Sequence, residues 1–189
     1  GTQTISFTGL EPVIDLVPAA TLTVNATNGD NSINYAQGSV AANGLVSVDG
    51  FETIVFSNKG ELIINGLAGS DTINLNNPNT PTALTDITVN GGDPTSGSDT
   101  LIVNGIAGIE DELVMIPTAA GAGNVESDAG ARTVTFGGVE HLFLVMQDTD
   151  GDEADINGTA GEDQFEFTPG ATRDTGLFTG TLDFNNASG

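Results

Sequence analysis

Residues 61–75 read ELIINGLAGSDTINL: two short apolar-alternating runs, Leu62-Ile63-Ile64 and Ile73-Asn74-Leu75, joined by the turn-forming segment NGLAGSD. A near copy stands at 156–167, INGTAGEDQFEF, and a looser one at 24–35, VNATNGDNSINY. The three align without a gap, with a Gly at the centre (Gly69, Gly161, Gly29) and an acid just after it: Asp71, Asp163, and Asp30 one position early. Two altered versions lie between them, VNGGDPTSGSDTLIV at 89–103 and VNGIAGIEDELVMI at 103–116. The chain is built from a repeated unit, and that settles its organisation before any residue is given a chemical role.

A second landmark recurs upstream of the first. TISFTGLEPVIDL at 4–16, LVSVDGFETIVF at 45–56 and TVTFGGVEHLFL at 133–144 share alternating apolar residues, a Gly (Gly9, Gly50, Gly138), an apolar residue, a Glu (Glu11, Glu52, Glu140) and a further apolar run. Glu11 stands as far from Asp30 as Glu52 does from Asp71. The reading is one repeat-built domain over 1–189, with modules at about 4–44, 45–132 (carrying an insert at 86–116) and 133–189. The first module predicts strands at 4–8, 12–17, 21–25 and 32–36. The Pro-, Gly- and Asn-rich stretches 76–85, 93–98 and 117–131 read as excursions.

β-branched residues fill the apolar runs and Lys, Arg and Gln are scarce, so the expected class is all-β. Two architectures fit. In a β-solenoid, or β-helix-like stack, each repeat forms a coil that buries its apolar face only against its neighbours. In a β-sandwich the Asn-Gly pairs at 28, 43, 65, 90, 104 and 157 would be tight hairpin turns. The internal repeat, connectors of variable length and an aromatic content of 5% favour the solenoid.

Charge bounds the partners. There are 26 acids against 3 bases, a formal charge of −23. Such a surface repels nucleic acid and anionic lipid, which both require cationic side chains, and it suits cations. Cysteine is absent, which excludes disulfides, thiolate metal sites and thiol catalysis. No run is apolar for the length of a membrane span, so membrane insertion is not expected. The chain opens at Gly1 already in repeat-like sequence, which reads as a piece of something longer or a processed product.

The densest chemistry is DTDGDEAD at 148–155, with Asp148, Asp150, Asp152 and Asp155 as candidate metal ligands. Carboxylates at alternate positions of a turn converge, and hard oxygen ligands at that density suit Ca²⁺. The Gly falls at position 4 of the run, unlike the EF-hand loop. The segment resembles the DxDGDxxD calcium loops of secreted bacterial linkers and thrombospondin type 3 repeats; the alternative is an acidic, solvated turn.

NGLAGSDTI and NGTAGEDQF are similar to the RTX (haemolysin-type) nonapeptide GGxGxDxφx, with Leu67 or Thr159 in place of its second Gly. The resemblance implies calcium-binding turns that include Asp71 and Asp163. The competing reading of the same residues has Gly supplying a positive φ and Asp capping the turn. As a whole the chain resembles the degenerate Gly-Asp repeats of very large bacterial surface proteins. That implies secretion, a cell-surface location and surface-layer, matrix or adhesive duty.

An enzyme is not expected. His141 alternates with Val139 and Phe143 and reads as a strand residue. Glu140 matches Glu11 and Glu52, and its repetition suggests a carboxylate bonded to a turn amide of the adjoining coil. The expected function is therefore a calcium-stabilised structural or adhesive segment, able to self-associate into a lattice or filament. The alternative is a carbohydrate-binding or polysaccharide-degrading β-helix, with glycans as partners. Its need for bases to steady an anionic substrate could be met only by Lys59, Arg132 and Arg173.

Overall fold

The computed structural model describes residues 12–76, 81–92, 98–127, 132–146, 151–169 and 176–181. The expected strand at 4–8 lies outside these residues. Every regular element among them is a β-strand, and the chain is all-β, as its composition implies. No helix among the described residues is long and apolar enough to cross a membrane.

Two parallel stacks form the centre. In the first, β2 (Ala19–Asn25), β6 (Lys59–Leu67), β8 (Asp86–Gly92) and β12 (Thr133–Gly137) lie side by side, so that Val24, Ile64, Val89 and Phe136 come into line. In the second, β3 (Ser32–Gln37), β7 (Thr72–Asn76), β9 (Thr100–Asn104) and β13 (His141–Val145) align Ile33, Ile73, Leu101 and Leu142. One strand of each stack with the turn between them makes one rung. Two further parallel pairs, β1 (Val13–Asp15) with β5 (Ile54–Phe56) and β10 (Glu112–Ala119) with β14 (Glu153–Ile156), flank them.

Antiparallel strands link these groups. β4 (Gly44–Val48) joins β3 to β5, and β11 (Ala122–Ser127) joins β10 to β12. The result is two seven-stranded mixed sheets, β1-β5-β4-β3-β7-β9-β13 and β14-β10-β11-β12-β8-β6-β2. A separate hairpin pairs β15 (Gln164–Pro169) with β16 (Gly176–Thr181).

Alternation puts every second aliphatic residue inward. Leu62, Ile64, Ile73, Val89 and Leu101 are fully buried, and both large sheets contribute to one core cluster. At about 1.5–3 kcal/mol for each fully buried Leu, Ile or Val, these columns dominate the stabilisation. The outward faces are polar and also in register. Asn65 donates to Asn25 at 2.7 Å and Asn90 to Asn65 at 2.7 Å, forming an asparagine ladder.

Three stretches singled out in the sequence take these places in the fold. Asn65-Gly66 and Asn90-Gly91 lie inside β6 and β8, and Asn104 ends β9, so these pairs are not hairpin turns. Parallel pairing repeats the same residue in neighbouring rungs, and amide side chains there bond along the stack. Asn43-Gly44 ends the 38–43 connection between β3 and β4, where Gly38 N–H donates to Asn43 O at 2.8 Å. Residues 117–131, read as an excursion, carry the end of β10 and all of β11; Gly121, at φ +67°, makes the turn between them. Insert 86–116 supplies β8 and β9, a rung in register with its neighbours, and opens β10.

Candidate functional site: acids where turns enter strands

Acidic residues recur where a turn enters a strand. Asp71 directly precedes β7, Asp99 β9, Asp111 β10, Glu140 β13, Asp152 β14 and Asp163 β15; Asn31 holds the same place before β3. Because the strands are in register, these side chains stack. Asn31 N–H donates to Asp71 Oδ1 at 2.8 Å, Asp71 N–H to Asp99 Oδ1 at 2.8 Å, and Asp99 N–H to Glu140 Oε2 at 2.6 Å. Each carboxylate thus satisfies a turn amide one rung away, the job expected of Glu140. Asp111 N–H donates to Asp152 Oδ1 at 3.1 Å in the same way.

Other acids cap their own turns. Asp163 accepts from the Thr159 amide and hydroxyl, and Asp111 accepts from Ile106 N–H. Asn31 does likewise with Thr27 N–H at 2.9 Å. Register identifies Asn31, not Asp30, as the counterpart of Asp71; Asp30 instead accepts from Ser70 N–H at 2.9 Å. The glycine that opens each unit makes room for the carboxylate. A Cβ on Gly66 would overlap Asp71 Oδ2, and one on Gly105 would lie 2.8 Å from Asp111 Oδ1.

The electrostatics follow from stacking like charges. Burial pushes the Asp71 carboxyl up from its usual range; the Asn31 amide pulls it down, and Asp99, Asp30 and Asp49 push it up. Burial likewise raises Asp99, against the Asp71 amide and with Glu140. Asp49, accepting from Ser32 N–H and Asn31 Nδ2, is held below the usual range.

Of the candidate calcium loop, Asp148 and Asp150 lie outside the described residues. Asp152 is half-buried, and its Oδ2 has no hydrogen-bond partner among the described residues; Asp155 is exposed on β14. The fold brings a second acidic run beside them. Glu112 stands directly opposite Glu153 across the β10–β14 pair, and the Glu110 carboxyl approaches Gly151. Like charges placed opposite each other destabilise a sheet unless a cation intervenes. Sequence reading missed Glu110, Asp111 and Glu112 because they stand in a different unit of the chain. Among the described residues, no three His, Asp or Glu side chains are grouped closely enough to hold a metal ion.

The bases are structural where described. Lys59, 1% exposed, donates to Val17 O at 2.6 Å and lies 3.2 Å from Asp15 Oδ1. Arg132 Nε donates to Leu84 O at 2.9 Å and its Nη2 to Pro81 O at 2.8 Å; Arg173 lies outside the described residues. His141 is exposed on β13 with Phe143, whereas Val139 is buried, because Gly138 at φ +65° turns the chain between Val139 and the preceding strand. No known protein family, curated protein or solved structure matches the chain.

Proposed function

We propose that the chain is a non-enzymatic, calcium-stabilised structural segment of a secreted or cell-surface protein, built as a β-solenoid and serving surface-layer, matrix or adhesive architecture. The observation that carries this reading is the register. Equivalent residues of successive units pair in parallel, and their side chains bond along the stack as asparagine and carboxylate ladders. Acids that recur for this purpose need no catalytic explanation. The burial of Lys59 and Arg132 supports the same view, since neither is presented to an anionic substrate.

Calcium is assigned to the acidic loop 148–155, with Asp148, Asp150, Asp152 and Asp155 as ligands and the neighbouring Glu110 and Glu112 adding negative potential. Asp71 and Asp163 remain calcium ligands of the RTX-like turns in this proposal, with Asp71 Oδ1 accepting from Asn31 N–H and Asp163 from Thr159 N–H. A ligand bound by the folded state alone stabilises it by about 2.7 kcal/mol at a hundredfold excess over Kd. Millimolar CaCl2 is therefore expected to raise the melting temperature beyond NaCl of equal ionic strength, with MgCl2 doing less. Asp150→Asn with Asp152→Asn should abolish the excess. An unchanged response in that double variant removes the loop from the site, and no calcium-specific shift in the parent ends the calcium reading.

A carbohydrate-binding reading has one observation in its favour. Phe51, 59% exposed, stands with Pro12, Glu52 and Thr53 around a shallow concavity, an apolar platform beside polar groups of the kind on which a sugar ring stacks. A glycan array combined with Phe51→Ala distinguishes the two, since binding lost in that variant supports the platform.

A further inference from the structure

Asn-Gly pairs stand at 28, 43, 65, 90, 104 and 157, and the fold treats them differently. An Asn followed by Gly readily loses ammonia, because no side chain hinders the glycine nitrogen from closing a five-membered ring on the Asn carboxamide. Closure requires a carboxamide free to swing, a glycine amide without a strong acceptor and a backbone able to turn. At Asn65 and Asn90 these conditions fail: their glycines lie inside β6 and β8, and their carboxamides are held in the ladder at 2.7 Å. Asn104 Nδ2 donates to Asn74 Oδ1 at 2.7 Å and Leu75 O at 3.1 Å, and Gly105 N–H donates to Val145 O at 2.9 Å. Gly44 is buried at the start of β4, opposite Gln37. Asn157 is exposed, but its backbone amide and Nδ2 both donate to Met115 O, at 3.0 and 3.3 Å.

Asn28-Gly29 differs on every count. Both residues are exposed in the β2–β3 turn, outside any strand, and no described residue hydrogen-bonds the Asn28 carboxamide. Among the described residues Gly29 N–H has only the Thr27 hydroxyl, at 3.2 Å, as acceptor. We infer that Asn28 is the preferred site of spontaneous deamidation in this chain, a covalent modification that needs only water. The Gly29 nitrogen gives its proton to hydroxide and attacks Asn28 Cγ. The N–Cγ bond forms, the Cγ–Nδ2 bond breaks, and ammonia leaves with a proton taken from water. Water then opens the succinimide at either carbonyl, giving aspartate by one route and isoaspartate by the other, with no change of oxidation state.

The modified bond lies against the turn of the next rung. A Cβ on Gly69, at φ +122°, would lie 2.6 Å from the Gly29 carbonyl carbon, and Asp30 Oδ1 accepts from Ser70 N–H at 2.9 Å. Isoaspartate carries its main chain through Cβ and Cγ, one carbon longer, so Gly29 and Asp30 must shift against Gly69 and Ser70. Either product also adds a carboxylate close to the exposed Asp30, in a chain already at −23, and like charge opposes the compact state. Deamidation therefore loosens the end rung, whose β2 is paired on one side only among the described residues. The inference stands apart from the calcium reading, which concerns other turns.

The test is incubation of the whole chain, folded and in urea, in mildly alkaline buffer made with heavy-oxygen water, followed by peptic digestion and mass spectrometry. In urea the Asn-Gly pairs should react at comparable rates, since each presents the same dipeptide. In the folded chain Asn28 should stay within about tenfold of its rate in urea, whereas Asn65, Asn90 and Asn104 should slow by about a hundredfold or more, because core strands open only at a cost approaching global unfolding. Folded-state rates at Asn65, Asn90 or Asn104 equal to that at Asn28 overturn the inference, as does a faster reaction at Asn43 or Asn157. Gly29→Ala supplies a second variant. A Cβ there meets nothing nearer than Thr27 Oγ1 at 3.9 Å, so the fold should be kept while the rate at Asn28 falls. An undiminished rate in Gly29→Ala overturns ring closure by that nitrogen. The isoaspartate form, separated by ion exchange, should melt below the parent; melting together with the parent overturns the coupling to the next turn.

Discussion

The glycines of the repeat are not interchangeable, and the difference is set by what surrounds each Cα. Gly66 has no side chain because Asp71 Oδ2 and the Gly91 carbonyl already fill the space. Gly108 has open space around it and only a left-handed backbone, φ +78°, to satisfy. Gly108→Ala should therefore cost about 1–2 kcal/mol, the left-handed penalty for an L-residue. Gly66→Ala must displace backbone or break the acid ladder; by analogy with overpacked cores it should cost about 1–3 kcal/mol or more. Urea denaturation of the two variants checks the order, and a Gly66→Ala protein as stable as Gly108→Ala would mean the rungs are less closely stacked than described.

At the scale of the strand, β6 is the element on which the parallel stacks depend. It pairs with β2 on one side and β8 on the other, and its inward residues Leu62 and Ile64 are fully buried. Ile64 lies between Val24 and Val89, so truncation leaves a cavity that neither neighbouring strand can close without losing register. Ile64→Ala is expected to cost about 2–5 kcal/mol. Ile64→Asp should prevent folding, since a charge would enter the column without a partner. Retention of a cooperative unfolding transition in Ile64→Asp would show that the column is not a packed core. The outer face of the same strand is tied more lightly: Glu61 accepts from Thr21 at 3.2 Å and Thr88 at 3.1 Å.

For the whole molecule, the ends of the sheets matter most. β1 and β13 bound one sheet, and β14 and β2 the other, so each has a strand paired on one side only among the described residues. Exposed apolar residues lie at these edges, with Ile14 61% and Phe143 51% exposed. Open edges template pairing with another chain, while a charge of −23 opposes close approach. Self-association should accordingly increase with calcium and with salt that screens the surface. Light scattering across protein concentration, with and without CaCl2, measures this; a monomer under every condition removes the lattice or filament role.

The all-β class was legible in the sequence alone. Alternation of β-branched residues with polar ones dictates a strand with one buried face, but the matching of Glu140 with Glu52 does not carry into the fold, where register aligns Glu140 with Asp99 and Asp71. One strand was not legible at all. Segment 117–131 is rich in Gly and Ala and shows no apolar alternation long enough to announce β11, which forms because β10 and β12 both offer it an edge. The Asn-Gly pairs carried a true signal with a second meaning: local chemistry suits a tight turn, but neighbours in parallel register convert them into a ladder. Register alone decided that Asn31 stands where Asp71 does, that Glu112 faces Glu153, and that Asp71 accepts from Asn31 N–H. Those relations join residues dozens of positions apart. A local pattern can specify which face of a strand is buried, but only the packed stack determines which acid meets which amide.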